Sequence, residues 1–494
     1  MLDLRNSVVL LVTFTSLLLA LLFIKLTWKR RRLPPGPFAL PVLGNVLQIH
    51  KQGMVPYLVK MGETYGPVCT IFMGSRPTVI LTGYQAVKEA LVDLGDDFLG
   101  RGPLPVFDRV LKKGGLALLN GTAWKQLRQF TMMTFRDFGM GKKTLEEPIQ
   151  EEAQHLVKHF RSYKQEPVDP SNIMICASSN IIASILMGTR YNYSDDKWMQ
   201  LLKNIHEAIV IACSTWGQIY DIVPNIMQVM PGPHNNIFTL LQDLVDVVEE
   251  RVKYNLDTLE PNCPRDFIDC FLIRMKEEKD PKTPFTVTNL VATVTDTFLG
   301  GAESTGSTVN YGLLIFIKYP EIQAKLQEEI QQVIGHNREP VVEDRNSMSY
   351  LNAFIHELQR YCDVFPMGVI RSTTRDLDYR GYYIPKGTDV LPVLTTVLKD
   401  PTQFETPGEF NIKHFLDENG TFKKNNGFLA FSAGKRSCAG ESLVRMQLFI
   451  FFATILQKFT LKATVDPKDL DLSPAESGIE TIPPVHKIIF IPRE

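Results

Sequence analysis

The stretch VVLLVTFTSLLLALLFI, from Val8 to Ile24, carries no charge. As a helix rising about 1.5 Å per residue it would cover about 26 Å, just enough to cross a bilayer. The run exceeds a usual secretory h-region, has no clear small-x-small cleavage site, and meets Lys29-Arg30-Arg31-Arg32; a retained anchor fits these features better than a cleaved signal. Only Arg5, offset by Asp3, precedes the run, so the positive-inside bias leaves everything beyond Trp28 in the cytoplasm. Pro34, Pro35, Pro37 and Pro41 in LPPGPFALPVLGN then prevent the membrane helix from continuing. The expected organisation is a transmembrane anchor over 1–28, a basic and proline-rich hinge over 29–45, and a globular domain over 46–494.

That globular part can bury a large core. The chain has 494 residues, 44% apolar and 22% charged, and a net charge of −1, which removes the strongest sequence reason to invoke nucleic acid. Its seven cysteines are scattered, with no C-x-x-C. An odd, dispersed set argues against a disulfide framework and against a cysteine-rich zinc site. No internal repeat, low-complexity tract or long linker marks a second domain.

Helical periodicity dominates. In SYLNAFIHELQR, Leu351, Phe354, Ile355 and Leu358 share one face. Further helices are expected over Trp124–Phe135, Glu146–Phe160, Ile237–Leu256, Val287–Ile317, Pro320–Ile334 and Ala439–Phe459. Short β-branched strands are expected over Val68–Phe72, Thr78–Leu81 and Lys487–Ile491. The fold class is mainly α with small β-sheets.

Within this body, FSAGKRSCAG places Cys438 between Gly434 and Gly440, just after Lys435 and Arg436 and at the start of an apolar helical run. Neighbouring cations and backbone N–H groups predict a lowered thiol pKa. The residue alone reads as a metal ligand, a nucleophile or a buried small hydrophobe. His155 and His159 are spaced as in a helical zinc motif, but Leu156 stands where that motif needs its glutamate, so both are expected at the surface.

The decapeptide fills all five fixed positions of FxxGxRxCxG with Phe431, Gly434, Arg436, Cys438 and Gly440. It resembles the proximal loop of the cytochrome P450 superfamily, whose cysteine thiolate is the axial ligand of haem iron. Glu357-Leu-Gln-Arg360 matches that family's ExxR, Trp124 to Arg128 its WxxxR, Gly300 to Ser304 its distal-helix motif, and LPPGP its membrane-side hinge. RGPLPVF, NGTAWKQLR, FSAGKRSCAGE and HFLDENG are most similar to the microsomal family 2 enzymes. The resemblance spans nearly the whole chain and implies the cytochrome P450 fold, with haem held between the distal helix and the proximal cysteine loop, plus one N-terminal transmembrane helix.

The resemblance also implies roles. Cys438 would ligate iron, and Arg101, Trp124, Arg128, Arg371 and Arg436 would serve the haem propionates, which need charge-assisted donors. Arg371 stands where many relatives have histidine. Glu357 and Arg360 would form a buried trio with His414, although an i, i+3 pair is ordinarily a solvated contact and periodicity turns both away from the apolar face. On the distal helix Glu303 and Ser304 would occupy the acid–alcohol pair that relays protons, with Thr305 as a substitute alcohol. Ser304 replaces the usual threonine and Gly300 the usual alanine. Glycines at 300, 301 and 306 each disfavour a helix by about 1 kcal/mol; close helix packing explains them as well as a local kink over the haem.

The pocket wall implied by resemblance comprises Leu104, Ala117, Leu118, Phe298, Gly300, Val369, Ile370 and Ile479, all apolar or small, which suits a lipophilic substrate. The segment PNIMQVMPGPH, from Pro224, would make a second membrane contact. The implied cofactor is haem b, with O2 as co-substrate and electrons from NADPH through NADPH-cytochrome P450 reductase, cytochrome b5 being a further partner. No G-x-G-x-x-G on a strand–turn–helix offers a nicotinamide site on this chain. Lys112, Lys113, Lys125, Lys142, Lys143, Lys423, Lys424 and Lys435 read individually as solvated charges, but several, especially Lys125 and Lys435, flank the motifs on the thiolate side of the haem, where the resemblance implies docking of the acidic reductase by charge complementarity. The implied location is the endoplasmic reticulum membrane, facing the cytoplasm. The rival readings are a haem-thiolate isomerase or dehydratase acting on a lipid peroxide without reductase, and a membrane-tethered haem carrier.

Overall fold

The computed structural model describes residues 32–140 and 145–493, with positions 6, 9, 10, 13, 14, 16 and 17. The anchor expected at Val8–Ile24 falls largely outside the described residues, as do Lys142 and Lys143. Among the described residues no helix is long and apolar enough to cross a membrane.

The body is mainly helical. Its principal helices are α1 (Gly121–Asp137), α2 (Glu146–Ser162), α3 (Ser171–Met187), α4 (Asp196–Cys213), α5 (His234–Asp257), α6 (Val287–Lys318), α7 (Pro320–Val333), α8 (Ser349–Cys362) and α9 (Glu441–Lys458). The strands are β1 (Val68–Met73), β2 (Arg76–Leu81), β3 (Arg371–Ser372), β4 (Asp389–Pro392), β5 (Phe459–Ala463), β6 (Glu476–Ser477), β7 (Thr481–Ile482) and β8 (Ile488–Pro492), with a further short hairpin over Leu377–Tyr379 and Tyr382–Ile384. A four-stranded sheet runs in the order β1-β2-β4-β3. Its β2–β4 pair is parallel, with Thr78 opposite Asp389, while the outer pairs are antiparallel. The predicted strand at the C-terminus pairs antiparallel with β5, Ile488 facing Ala463.

The central element is α6. Thr286 caps it by accepting from the Asn289 amide at 3.2 Å, and Pro320 opens the next helix just beyond its end. It runs as one uninterrupted helix through the glycine-rich segment. Most of its length is buried on every side, and α3, buried all round as well, packs along it. The rings of Phe316, Phe354 and Phe452 join α6 to α8 and α9, with centroids 4.7 and 5.5 Å apart. Such pairs contribute about 0.5–1.5 kcal/mol each beyond burial.

The three glycines of this segment do different things. A Cβ on Gly306 would lie 2.7 Å from the Ile175 Cα, and one on Gly301 3.1 Å from the Ile182 side chain, so both let α3 approach. Nothing lies within 4 Å of a Cβ on Gly300. Gly306→Val is therefore expected to destabilise by about 1–3 kcal/mol or more through overpacking. Gly300→Ala is expected to be tolerated, gaining up to about 1 kcal/mol of helix propensity. Thermal unfolding midpoints of the two variants should move in opposite directions.

Candidate active site

Phe431–Gly440 forms a tight loop leading into α9. The Cys438 amide donates to the Phe431 carbonyl at 3.0 Å, and the Ser437 amide to the Gly434 carbonyl at 3.0 Å. Gly434 sits at φ 73°, and a Cβ there would lie 1.9 Å from the Leu91 carbonyl oxygen, so only glycine fits. Arg128 on α1 braces the loop by donating from Nη2 to the Ser437 carbonyl at 2.6 Å.

Cys438 opens onto an internal cavity of about 310 Å³. The thiol departs from the expectation of a lowered pKa: its depth in the protein pushes it up, and the Gly440 and Glu441 amides together with Arg128 only partly offset this. The flanking cations point elsewhere. Lys435 pairs with Asp96 at 2.6 Å. Arg436 donates to the carbonyls of Leu99 (3.2 Å) and Leu119 (2.6 Å) and lies over the Trp124 ring at 3.7 Å.

Arg101, Arg128 and Arg436 line the same cavity, and Arg371, 3% exposed, stands beside them. Arg101 donates to the carbonyls of Ala117, Val369 and Ile370, and Arg371 reaches the Ser432 hydroxyl at 3.3 Å. Arg371 Nε and Arg436 Nη1 are buried without a partner. Burial pushes Arg371 down to about 10, with Arg128 adding repulsion. Arg436 is pushed down to about 9 by burial and then by Arg371 and Arg128, and Arg101 falls well below its ordinary value for the same reasons. A carboxylate-bearing partner would relieve all of them.

Helix α6 supplies a further wall: Asp296, Thr297, Gly300, Gly301, Ser304 and Thr305 among others. The Ser304 hydroxyl donates back to the Gly300 carbonyl at 2.6 Å, whereas the buried Thr305 Oγ1 has no partner. Glu303 is not on this wall. Its Oε1 lies 2.5 Å from His206 Nδ1 on α4, on the flank of the helix.

Behind the loop, Glu357 and Arg360 are both fully buried, so their position is not the solvated face that periodicity suggested. Arg360 donates Nε to Glu357 Oε2 and Nη2 to Oε1, each at 2.7 Å. It also donates to the carbonyls of Leu398, Pro407 and Glu409. His414 Nδ1 lies 3.2 Å from Glu357 Oε2, and the Asn411 amide donates to Oε1 at 2.7 Å.

Of the expected substrate wall, Ala117, Gly300 and Val369 line the cavity. Phe298 does not: its helical phase turns it into the core against Trp198, ring centroids 5.7 Å apart. Leu118 packs with Leu111 and Ala292, and Ile370 with Met367 and Leu391, where Leu104 and Ile479 also pack. Asp296 was not anticipated, although it lies one turn before Gly300 on the same face. It accepts from the Ala117 amide at 2.8 Å, and burial pushes its carboxyl up to about 7. All seven cysteines are free. His155 pairs with Glu151 and His159 meets Tyr163, and no metal-holding cluster of acid, His or Cys occurs among the described residues.

A lone thiol, a crowd of buried guanidiniums and a hydroxyl-lined helix surround one cavity, a lining suited to an anionic group that also takes a soft sulfur ligand. The sequence matches the Cytochrome P450 family profile over residues 34–490. It is 47% identical over 485 residues to cytochrome P450 2G1 of Oryctolagus cuniculus, covering 97% of this chain and 98% of that one. Identity to cytochrome P450 2C11 of Rattus norvegicus is 47% over 98% of this chain and 97% of the relative. For cytochrome P450 2F2 of Mus musculus it is 47% over 92% of each. The chain belongs to the cytochrome P450 family, in its family 2 branch, and is a haem-thiolate monooxygenase of lipophilic substrates. The residues fit that cofactor: a soft sulfur on one stretch of wall, and orphaned guanidinium N–H groups suited to carboxylates on another.

Proposed function

We propose that this chain hydroxylates a lipophilic substrate with Cys438 as the thiolate ligand of haem b, seated between α6 and the Phe431–Gly440 loop. The observation that carries this reading is the convergence of Cys438, three arginines and the α6 hydroxyls on one cavity. Bound haem supplies O2 binding and O–O cleavage, which electron donation from a thiolate favours. The overall balance is RH + O2 + NADPH + H⁺ → ROH + H2O + NADP⁺.

The chain's own residues do the rest. Arg101, Arg128, Arg371 and Arg436 would hold the two propionates, with the Trp124 ring supporting the Arg436 guanidinium at 3.7 Å. Metal binding requires a deprotonated sulfur, so the Gly440 and Glu441 amides and Arg128 act in the loaded protein to stabilise the thiolate. Glu357, Arg360 and His414 anchor the segment before the loop. Thr305, with its unengaged hydroxyl, is better placed than the back-bonded Ser304 to donate a proton into the cavity, and Glu303 feeds that wall from the flank. Ala117 and Val369 offer an apolar substrate an apolar wall, and the absence of a side chain at Gly300 leaves it room.

The domain organisation follows the same reading: anchor 1–28, hinge 29–45, haem-thiolate domain 46–494. Endoplasmic reticulum localisation is supported by likeness to the microsomal family 2 enzymes. Exposed Trp216, Ile226, Val229 and Met230 support a second contact with the bilayer. NADPH-cytochrome P450 reductase, and cytochrome b5, would dock on exposed Lys125, Lys423 and Lys424. The full-length haem-loaded chain, combined with reductase and phospholipid vesicles, should consume NADPH and oxidise members of a lipophilic library. Turnover of lipid peroxides without NADPH, and of nothing with it, would overturn the reading in favour of an isomerase or dehydratase.

A further inference from the structure

A second recess, of about 350 Å³, opens between α5, the start of α6 and the turn that follows the Pro105–Val110 helix. Val245, Val252 and Leu256 recur on one face of α5, and Val287, Val291 and Thr295 on one face of α6, so the two helices give it apolar sides. Its lip is open to solvent, with Val287 44% exposed and Leu256 37%. The recess shares no lining residue with the Cys438 cavity. Leu111 and Ala292 on its floor pack with Leu118 and Ala117, and Ala117 faces the Cys438 cavity on the other side.

The two ends of the recess are polar in different ways. The lip carries Lys112, Lys253 and Glu249. Lys112 meets Glu249 only at 3.8 Å, and Lys253 makes no ion pair among the described residues, so one positive charge is left over. The backbone holds Lys112 in place: it and Lys113 take left-handed φ values of 51° and 59°, a conformation that persists in non-glycine residues only where the surroundings impose it. Gly114 fastens this turn to α6, because a Cβ there would lie 2.7 Å from Asn289 Oδ1 and 3.1 Å from the Ala292 Cβ. The first turn of α6 adds amides without intrahelical partners and the positive end of the helix. From Thr288 at the lip to Thr295 inside, α6 rises about 10 Å. Thr295 is fully buried, and its hydroxyl has no partner, although an unmade hydrogen bond in the interior is expensive.

We propose that this recess is a second ligand site, which takes a medium-chain carboxylate of the fatty-acid class. The alkyl chain lies between α5 and α6, and the head sits among Lys112, Lys253 and the first turn of α6. An uncharged apolar guest would leave the surplus charge at the lip unanswered, and a cationic one would meet two lysines. Glu249 opposes an anion, but Lys112 already engages it. The orphaned Thr295 hydroxyl adds a preference: a chain that ends in a hydroxyl completes the hydrogen bond which a plain alkyl chain leaves unmade. The site is separate from the Cys438 cavity and does not depend on the haem reading.

The test uses the full-length haem-loaded protein in phosphatidylcholine nanodiscs, with phenylimidazole on the iron to fill the Cys438 cavity. Irradiation with decanoate that bears a diazirine near its tail should label 245–256 and 287–295. Unlabelled decanoate should compete, and its affinity should fall about fourfold for each methylene removed. Lys112→Gln and Lys253→Gln should each weaken binding by about two- to fivefold. Val287→Glu suits a helix N-terminus and so spares the fold, but its charge faces the carboxylate and should weaken binding by at least about tenfold. The ω-hydroxy derivative should bind about two- to tenfold more tightly than decanoate, a preference that Thr295→Val abolishes. Labelling only outside the recess, competition by decanol equal to that by decanoate, or an unaffected Val287→Glu variant overturns the proposal. So does disappearance of the label when phenylimidazole is added, which would put decanoate in the Cys438 cavity. Labelling of the recess by a diazirine phospholipid that decanoate does not displace also overturns it, and makes this face a membrane contact. Failure of the haem reading shows differently: phenylimidazole would leave the absorption spectrum unchanged, while decanoate still labelled the recess.

Discussion

The Cys438→Ser protein is expected to fold, to keep its arginine-lined cavity, and to lose both NADPH-driven turnover and the absorption signature of a thiolate-bound ferrous carbon monoxide complex. Serine is close to isosteric, and the loop's geometry depends on the Cys438 amide, Gly434 and the Ser437 carbonyl, none of which the change removes. What disappears is a soft, ionisable sulfur. A hydroxyl in the same place stays neutral, because the burial that already disfavours the thiolate opposes an alkoxide far more strongly. Losing the ligand itself should cost more than the roughly 10–100-fold typical of outer-shell changes. Optical spectra of the reduced, carbon-monoxide-treated variant measure this directly. Retention of the parental band would mean that another residue ligates iron.

The second large effect is structural. Arg360→Ala should lower stability by about 3–5 kcal/mol, because it strands the Glu357 charge in the interior. It also leaves the Leu398, Pro407 and Glu409 carbonyls without their donor, and each buried orphan costs about 1–3 kcal/mol more unless water enters. Domains are commonly stable by only about 5–15 kcal/mol, so little folded protein should accumulate. Arg360→Lys should not restore it, since one ammonium cannot serve a bidentate carboxylate and three carbonyls together. Removing the exposed Lys88–Asp93 pair, whose side chains are 39% and 46% exposed, should cost no more than about 1 kcal/mol. Denaturant unfolding of the variants separates these cases, and equal midpoints for Arg360→Ala and Lys88→Ala would refute the assignment.

These contrasts indicate what a linear reading can and cannot see. The helices α1, α2, α5, α7 and α8 were legible because each has a one-sided apolar pattern, and α6 and α9 because each is a long apolar run. Helix α3 left no periodic signal because nearly all of it is buried, which erases amphipathicity. Strand β5 was absorbed into the preceding helix, whose apolar run continues through Phe459. Glu357 and Arg360 looked solvated because periodicity counts charges as outward, and it cannot foresee that the Leu398–Asn411 segment covers them. At Cys438 the failure is one of direction: Lys435 and Arg436 are its neighbours along the chain but turn their charges to Asp96 and Trp124. Phe298 and Gly300 lie two residues apart yet on different sides of α6, a distinction that follows from helical phase. His206 carried no signal, because only the folded chain brings it to Glu303.

The crowding of Arg101, Arg128, Arg371 and Arg436 has a consequence for how much of the enzyme a cell can maintain. Four like charges held together in a poorly solvated recess oppose the compact form, and a doubly negative guest that binds only the native state turns that liability into stabilisation growing with the logarithm of its free concentration. Steady-state abundance of the folded chain should therefore follow porphyrin supply, falling when iron or tetrapyrrole synthesis is limiting even while translation is constant.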